Sequence, residues 1–467
     1  MNKQQRIALF VLLLAGFVTI FDLFVVNVAI VNIERTLSAT LTELTLIIVG
    51  YELAFGLLLI TGGRLGDIYG RRTLYRIGMF GFTLTSVLCA VSPNAIFLVI
   101  ARCLQGLTAA LLFPQVYSSI RLNFDEVQAK KVFGLLGMTL GLAAIAGQAL
   151  GGLLISLNPF GLEWRTVFLI NLFIGIIALV LSHHLTQSDR LAYIKLDIGG
   201  VILSALSISL SLFPILMLPI WGWPLHSTLL FLIGLSLLSV FLYYENRLKH
   251  QGKQPLFDPI LLTNSPYVIG IGVVVCIYAT SSAFPMMMSI LLQSGFNRSV
   301  LDSGLIFVPA SIGFVLSSLL TPKWVKEYGE YIIYLGAICY TLSYLFLIFG
   351  IYYLISPENS TWITPFLFFV GFTQGMVMTP MLNLVLAKVK PEFVGIASGL
   401  TATLQQVGAA IGATCVSIIL QFSLNQPILN NTIEQYKIAF SFSMTFNFLM
   451  AIAASLLLRK ITVKTNN

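Results

Sequence analysis

The chain alternates long apolar runs with short polar connections, and the length of each run limits what it can be. A helix that crosses the hydrocarbon core of a bilayer needs roughly 20 mostly apolar residues. Fourteen runs reach that length: 7–33, 44–63, 73–91, 95–117, 132–156, 166–185, 198–219, 226–245, 266–292, 300–321, 331–355, 361–386, 393–422 and 437–458. The pattern predicts an all-α integral membrane protein. The connections are short and leave no soluble domain. The first run, Ile7 to Ile33, exceeds the roughly 7–15 residues of a signal-peptide core and lacks a small-residue cleavage site, so it is expected to stay as the first span. The longest connection, ENRLKHQGKQPLFDPILLTNSPY over 245–267, is basic and partly amphipathic and is expected to lie along the membrane interface.

Composition agrees with that reading. Of 467 residues, 57% are hydrophobic and 9% charged, with a mean hydropathy of +0.93. Soluble domains carry about a quarter charged residues, so a soluble fold is excluded. The net charge of +8 raises the question of a nucleic-acid partner. If both termini face the cytoplasm, 21 lysines and arginines fall on that side, including Arg190, Lys195 and Lys464, against only Arg35, Arg165, Arg298 and Lys437 opposite. That is the bias expected of cytoplasmic loops, and it accounts for the charge without nucleic acid. The five cysteines sit inside apolar runs with no C-x-x-C pair, so neither a disulfide framework nor a metal site is expected. No H-E-x-x-H, G-x-S-x-G or P-loop occurs, which argues against an enzyme.

Three ionisable residues lie deep inside spans: Asp22, Glu52 and Arg102. Each costs roughly 2.5–3.5 kcal/mol at a helix centre on insertion scales, so such residues face a bundle interior or a wet cavity. Counted along their spans at about 1.5 Å per residue, all three lie roughly 10–16 Å below the outer surface. They are expected to share one layer as an electrostatic triangle. One arginine holds one carboxylate ionised, leaving the other able to take up and release a proton as part of a coupled set. The plainer alternative is a buried ion pair that only fixes packing.

One connection is unusual for its density of glycine and charge: TGGRLGDIYGRR, 61–72, between the second and third runs. A fainter echo, PKWVKEYGEY over 322–331, follows the tenth run, with Tyr328–Gly329 matching Tyr69–Gly70. Such a repeat suggests two six-span halves with a site between them.

Gly63 to Arg72 fits G-x-L-x-D-x-x-G-R-[RK] and so resembles the loop between spans 2 and 3 of the major facilitator superfamily. FDLFVVNVAIV in the first span, Arg102-C-L-Q-Gly106 in the fourth and AAIAGQALGG (143–152) in the fifth resemble motifs of its fourteen-span drug:proton antiporter branch. GFTQGMVMTP and VGIASGLTATLQQVGAAIGA resemble its twelfth and thirteenth spans. Against those motifs Gln148 replaces a proline, Ala143 a glycine and Val31 a proline.

The resemblance implies a six-helix bundle over 1–187, two added helices and a linker over 188–262, and a second six-helix bundle over 263–467. It implies alternating access and proton-driven export of amphiphilic or cationic small molecules, with protons as coupling ion and no cofactor. The expected setting is the inner (plasma) membrane of a bacterial-type cell, among lipids, as a monomer. For coupling, Asp22 is the expected proton carrier and Arg102 the residue that tunes it, while Glu52, outside the matched motifs, is placed with them as a second carrier by its depth alone. Asn27, Gln105, Gln148, Phe284 and Met287 are expected in the substrate cavity. Gly63, Asp67, Gly70, Arg71 and Arg72 form the gating loop, with Asp67 latching onto a helix N-terminus of the other half, and Gly147, Gly151 and Gly152 carry the antiporter-like motif. Two other readings stand beside this one: a dedicated transporter or importer of one solute such as a siderophore, lipid or metabolite, and a membrane sensor or enzyme.

Overall fold

The computed structural model describes residues 1–188, 197–253, 255–256, 258–390, 393–424 and 432–462. Arg190, Lys195 and Lys464 lie outside the described residues. Fourteen helices long and apolar enough to cross a membrane succeed one another, and no strand occurs among the described residues. They are α1 Lys3–Leu37, α2 Leu41–Tyr69, α3 Arg71–Ala90, α4 Ala95–Asn123, α5 Glu126–Leu157, α6 Thr166–Leu181 and α7 Ile198–Leu216. The others are α8 Leu225–His250, α9 Ser265–Ile290, α10 Val300–Tyr328, α11 Tyr331–Phe349, α12 Thr364–Leu386, α13 Val394–Leu424 and α14 Thr432–Thr462.

Several helices overrun the apolar runs because polar caps close them. Asn2 with Gln5, and Thr40 with Glu43, form reciprocal capping boxes at the starts of α1 and α2, each satisfying two backbone N–H groups that the helix leaves open. Asn94, Asp125, Asn264 and Ser299 accept first-turn N–H groups in the same way.

The gating loop is not a loop. Helix α2 runs on through Gly63, Arg64 and Asp67 to Tyr69, and the chain reverses on one residue, Gly70, at φ +92. Glycines that read as a turn serve helix packing instead. A Cβ on Gly62 would overlap the carbonyl of Ala110 in α4, and one on Gly66 would meet the side chains of Gln115 and Arg71.

Two bundles repeat one packing scheme. Helix α2 packs on α4, α1 on α5 and α3 on α6; in the second half α10 packs on α12, α9 on α13 and α11 on α14. The halves meet along two matching seams, α2 with α13 and α5 with α10, and where α1 faces α9. The added pair, α7 and α8, pack on each other and lie beside α2 and α13.

An even number of crossings places the termini on one face, which carries most of the cations and is the basic face below. On the opposite face the halves are shut. Residues 25–31 of α1 and 282–293 of α9 and the turn that follows it are buried without exception, and Gln293 Nε2 donates to the Val28 carbonyl across the join at 3.0 Å. Toward the basic face α5 leaves α10. Gly152 abuts Val300 and Leu301, and Gly141 still meets Val315, but nothing lies within 4 Å of a Cβ at Gly137 or Gly134 on the same helical face. Along α5 and α10 the halves are closed on one side and parted on the other, while α13 keeps contact with α2 as far as Gly399 and Ile60.

Candidate functional site

Helix α1 brings Asp22 and α4 brings Arg102 to the centre of the first bundle, where both are buried. They form an ion pair between Arg102 Nη1 and Asp22 Oδ2. The other carboxylate oxygen, Oδ1, accepts from Gln105 Nε2 at 3.0 Å and from Asn171 Nδ2 of α6 at 2.8 Å. Gln105 also donates to Ser86 of α3 at 2.8 Å. Arg102 Nε donates to the Ile47 carbonyl at 3.2 Å, Nη1 donates to Gln105 Oε1 at 2.6 Å, and the guanidinium lies 4.2 Å from the Tyr51 ring centroid. Every partner of Asp22 is a donor, which suits an ionised carboxylate. The buried charges are thus paired and hydrogen-bonded, the condition under which burial is tolerated.

Glu52 departs from the expected triangle. It is buried on α2 but has no bond to Asp22 or Arg102. Its Oε1 accepts from Ser282 Oγ of α9 at 2.6 Å, across the seam between the halves, and its Oε2 is buried with no hydrogen-bond partner. Helix geometry explains the separation. Successive residues are about 100° apart around a helix, so with Tyr51 over Arg102, Glu52 is turned away toward α9. Equal depth did not mean equal direction.

The expected cavity residues are likewise redistributed. Gln105 is part of the Asp22 cluster and offers nothing to a cavity. Asn27 donates to its own helix at Leu23 and Phe24, with Oδ1 buried and unpartnered. Gln148 is buried, 3.5 Å from the Phe24 carbonyl. Phe284 and Met287 are buried, and the Phe284 ring packs on Phe307 and Tyr344 with centroids 5.4 and 5.9 Å away. With the opposite face shut, these side chains fill the join rather than line an open space. Gly147 and Gly151 let α5 approach α1 at Phe21, Phe24 and Val25, while Gly152 abuts α10.

Asp67 also departs from expectation: it pairs with Arg71 one turn on, within its own half. Arg71 donates to the Gly63 carbonyl at 2.9 Å and to Gln115 Oε1 at 3.2 Å, and its backbone N–H donates to Ser188 Oγ at 3.0 Å. The first turns of α13 in the second half do reach α2, with Gly399 against Ile60, yet Asp67 is bonded to Arg71. Arg72 is half-exposed at the start of α3.

The sequence reading missed Ser86, Asn171 and Ser282. Asn171 had a signal, being the lone amide in the apolar stretch TVFLINLFIGIIALVL. Hydroxyls are too common in membrane helices to stand out. The second half holds an uncharged counterpart on the equivalent helices. Thr280 of α9, Tyr340 and Tyr344 of α11 and Asn447 of α14 are joined by contacts of 2.7, 2.9 and 3.4 Å. Among the described residues no His, Cys, Asp and Glu group is arranged for a metal.

Residues 12–413 match the family model of the Major Facilitator Superfamily. The chain is 32% identical over 415 residues to the "Probable actinorhodin transporter" of Streptomyces coelicolor, covering 88% of this chain and 72% of that one. It is 26% identical to "Multidrug resistance protein Stp" of Mycobacterium tuberculosis, covering 90% and 76%. Its fold is similar to the crystal structure of the D-xylose–proton symporter, with a TM-score of 0.68 at 14% identity and 97% of each chain covered. Twelve spans in two repeated bundles with two added helices, a buried charge cluster in one bundle and a match over most of the length lead to one conclusion: the chain is a membrane transporter, not an enzyme, and belongs to the Major Facilitator Superfamily.

Proposed function

We propose that this transporter exports amphiphilic or cationic small molecules from the cytoplasm in exchange for protons. The basic face is then cytoplasmic, both termini lie inside, and the protein works as a monomer in the inner membrane, with Arg72 at the height of the lipid phosphates. Closed outside and parted inside, the described conformation is the one that loads cargo. Export is supported by the names of the relatives above, which are a transporter and a multidrug resistance protein.

One observation carries the coupling: Glu52 Oε2 is buried at the seam with no partner. A proton on that oxygen displaces no donor. On Asp22 it would displace one of three. Glu52 is therefore the proton carrier in this conformation, while Asp22 with Arg102 forms the fixed charge pair beside it. When the halves part on the outer side, the Ser282 contact breaks and Glu52 meets external water, exchanging its proton as cargo leaves.

The test uses purified protein in liposomes with a fluorescent cationic dye and an imposed pH gradient. Wild type is expected to concentrate dye against its gradient. Glu52→Gln, always neutral, is expected to lose uphill transport by tenfold or more while retaining downhill exchange. Uphill transport by Glu52→Gln at the wild-type rate would sink the carrier assignment. No dye movement by wild type at any gradient would favour a dedicated solute instead.

A further inference from the structure

The two added helices are fastened at one end by charge and at the other by apolar contact only. On the basic face, Asp197 caps α7, accepting the Gly200 N–H at 2.9 Å and the Tyr244 hydroxyl of α8 at 3.1 Å. Glu245 of α8 is fully buried beside it, and both carboxylates close over Gly200, where a Cβ would overlap each. Arg64 of α2 loses hydration by burial, and the nearby charges that offset this are Glu245, Asp197 and Asp67. Arg64 Nη2 also donates to the Pro255 carbonyl, and Lys249 pairs with Asp258 at 2.8 Å. The linker is thus bonded to the inner end of α2 through Pro255 and to the hairpin through the Lys249–Asp258 pair.

Contact with the second half is of another kind. At the opposite face Leu216 and Met217 sit between Leu46, Val49 and Leu53 of α2 and the small residues Ala410 and Ala413 of α13. On the basic face Lys249 lies 6.0 Å from the Phe393 ring, at the outer limit of a cation–π contact. The linker changes sides abruptly. Up to Asp258 it is held by Lys249 and Arg64, whereas Asn264 Nδ2 donates to the Lys388 carbonyl of the second half at 2.7 Å. Only the short 3₁₀ turn Pro259–Thr263 lies between.

We infer that Arg64 is a positioning residue that fixes the α7–α8 hairpin and the linker through Asp258 to the first bundle, so that the hairpin travels with that bundle while α13 slides beneath it. Turn 259–263 is then the hinge between the two moving bodies. The Arg64–Pro255 bond and the acids near Arg64 on one side, against apolar contact with Ala410 and Ala413 on the other, set this division. The inference rests on the proposed rocking of two halves, but not on the cargo or the coupling ion.

The experiment measures spin-label distances in full-length protein with its five native cysteines replaced. One pair joins Gln251, at the end of α8, to Tyr69 of the first half; the other joins Gln251 to Tyr328 of the second half. All three sites are exposed. In wild type the Gln251–Tyr69 distribution is expected to be narrow and single. Arg64→Met is expected to broaden or shift it, and Arg64→Lys, which keeps the charge, to restore it. An unchanged Gln251–Tyr69 distribution in Arg64→Met overturns the inference, as does a wild-type distribution broader than that of Gln251–Tyr328. Neither readout needs transport, so a failure of the export reading leaves this test standing.

Discussion

At the scale of single residues, the Asp22–Arg102 pair shows what depth along a helix can and cannot reveal. Counting residues from the span ends places Asp22 and Arg102 at one level, and they do pair. The same count places Glu52 there too, yet it belongs to the seam, because depth fixes height and not rotation. Removing one partner of a buried ion pair leaves an uncompensated charge and costs about 3–5 kcal/mol, whereas replacing both is often tolerated. Arg102→Met is therefore expected to lower the thermal midpoint of the detergent-solubilised protein sharply. Asp22→Asn combined with Arg102→Gln is expected to recover most of that loss, since amides satisfy Gln105 and Asn171. Equal midpoints for Arg102→Met and wild type, read by intrinsic fluorescence during heating, would mean that the pair adds nothing to the fold. The cation–π contact with Tyr51 also goes in both variants, so the comparison isolates the charge.

At the scale of elements, hydrophobic periodicity and length made all fourteen helices legible, because a bilayer permits no other regular form for an isolated apolar run. Their ends were less legible. Capping side chains extend α1, α2 and α5 past the apolar residues that announce them, and glycine-rich GGRLGDIYG was mistaken for a loop. Glycine signals either a reversal or a close approach of backbones, and only three dimensions separate the two. Gly70, at φ +92 and ψ 136, is the reversal; Gly62 is the close approach to Ala110. An alanine at Gly70 is forced into a region L-residues avoid, at about 1–3 kcal/mol. It would also collide with Gln187. Gly70→Ala is expected to melt several degrees lower and to loosen the α2–α3 turn, read as faster amide exchange confined to residues near 66–74. Uniform exchange across the chain would instead mean that the strain is shared by the whole bundle.

At the scale of the whole molecule, a symmetric scaffold carries an asymmetric charge distribution. Helices α1, α3, α4 and α6 bury an ion pair with amides and a hydroxyl around it; α9, α11, α12 and α14 bury hydroxyls and one amide, with no charge. The charged bundle, with Glu52 on its seam, is the half in which the proposed coupling places its proton. The seam itself is testable. Near the face opposite the termini, Thr45 of α2 and Ser417 of α13 are hydrogen-bonded hydroxyls, and the halves must separate there if access alternates. Thr45→Cys with Ser417→Cys, in a background free of native cysteines, is expected to lose dye export when oxidised and to regain it on reduction. A third cysteine at Gly137, on the parted stretch of α5, should stay reactive toward a thiol reagent applied from the basic face in the oxidised protein, because the bridge holds that side open. Oxidised protein that still exports dye would show that the α2–α13 seam does not open. Export that stops together with loss of labelling at Gly137→Cys would show that the bridge traps a different conformation from the one described.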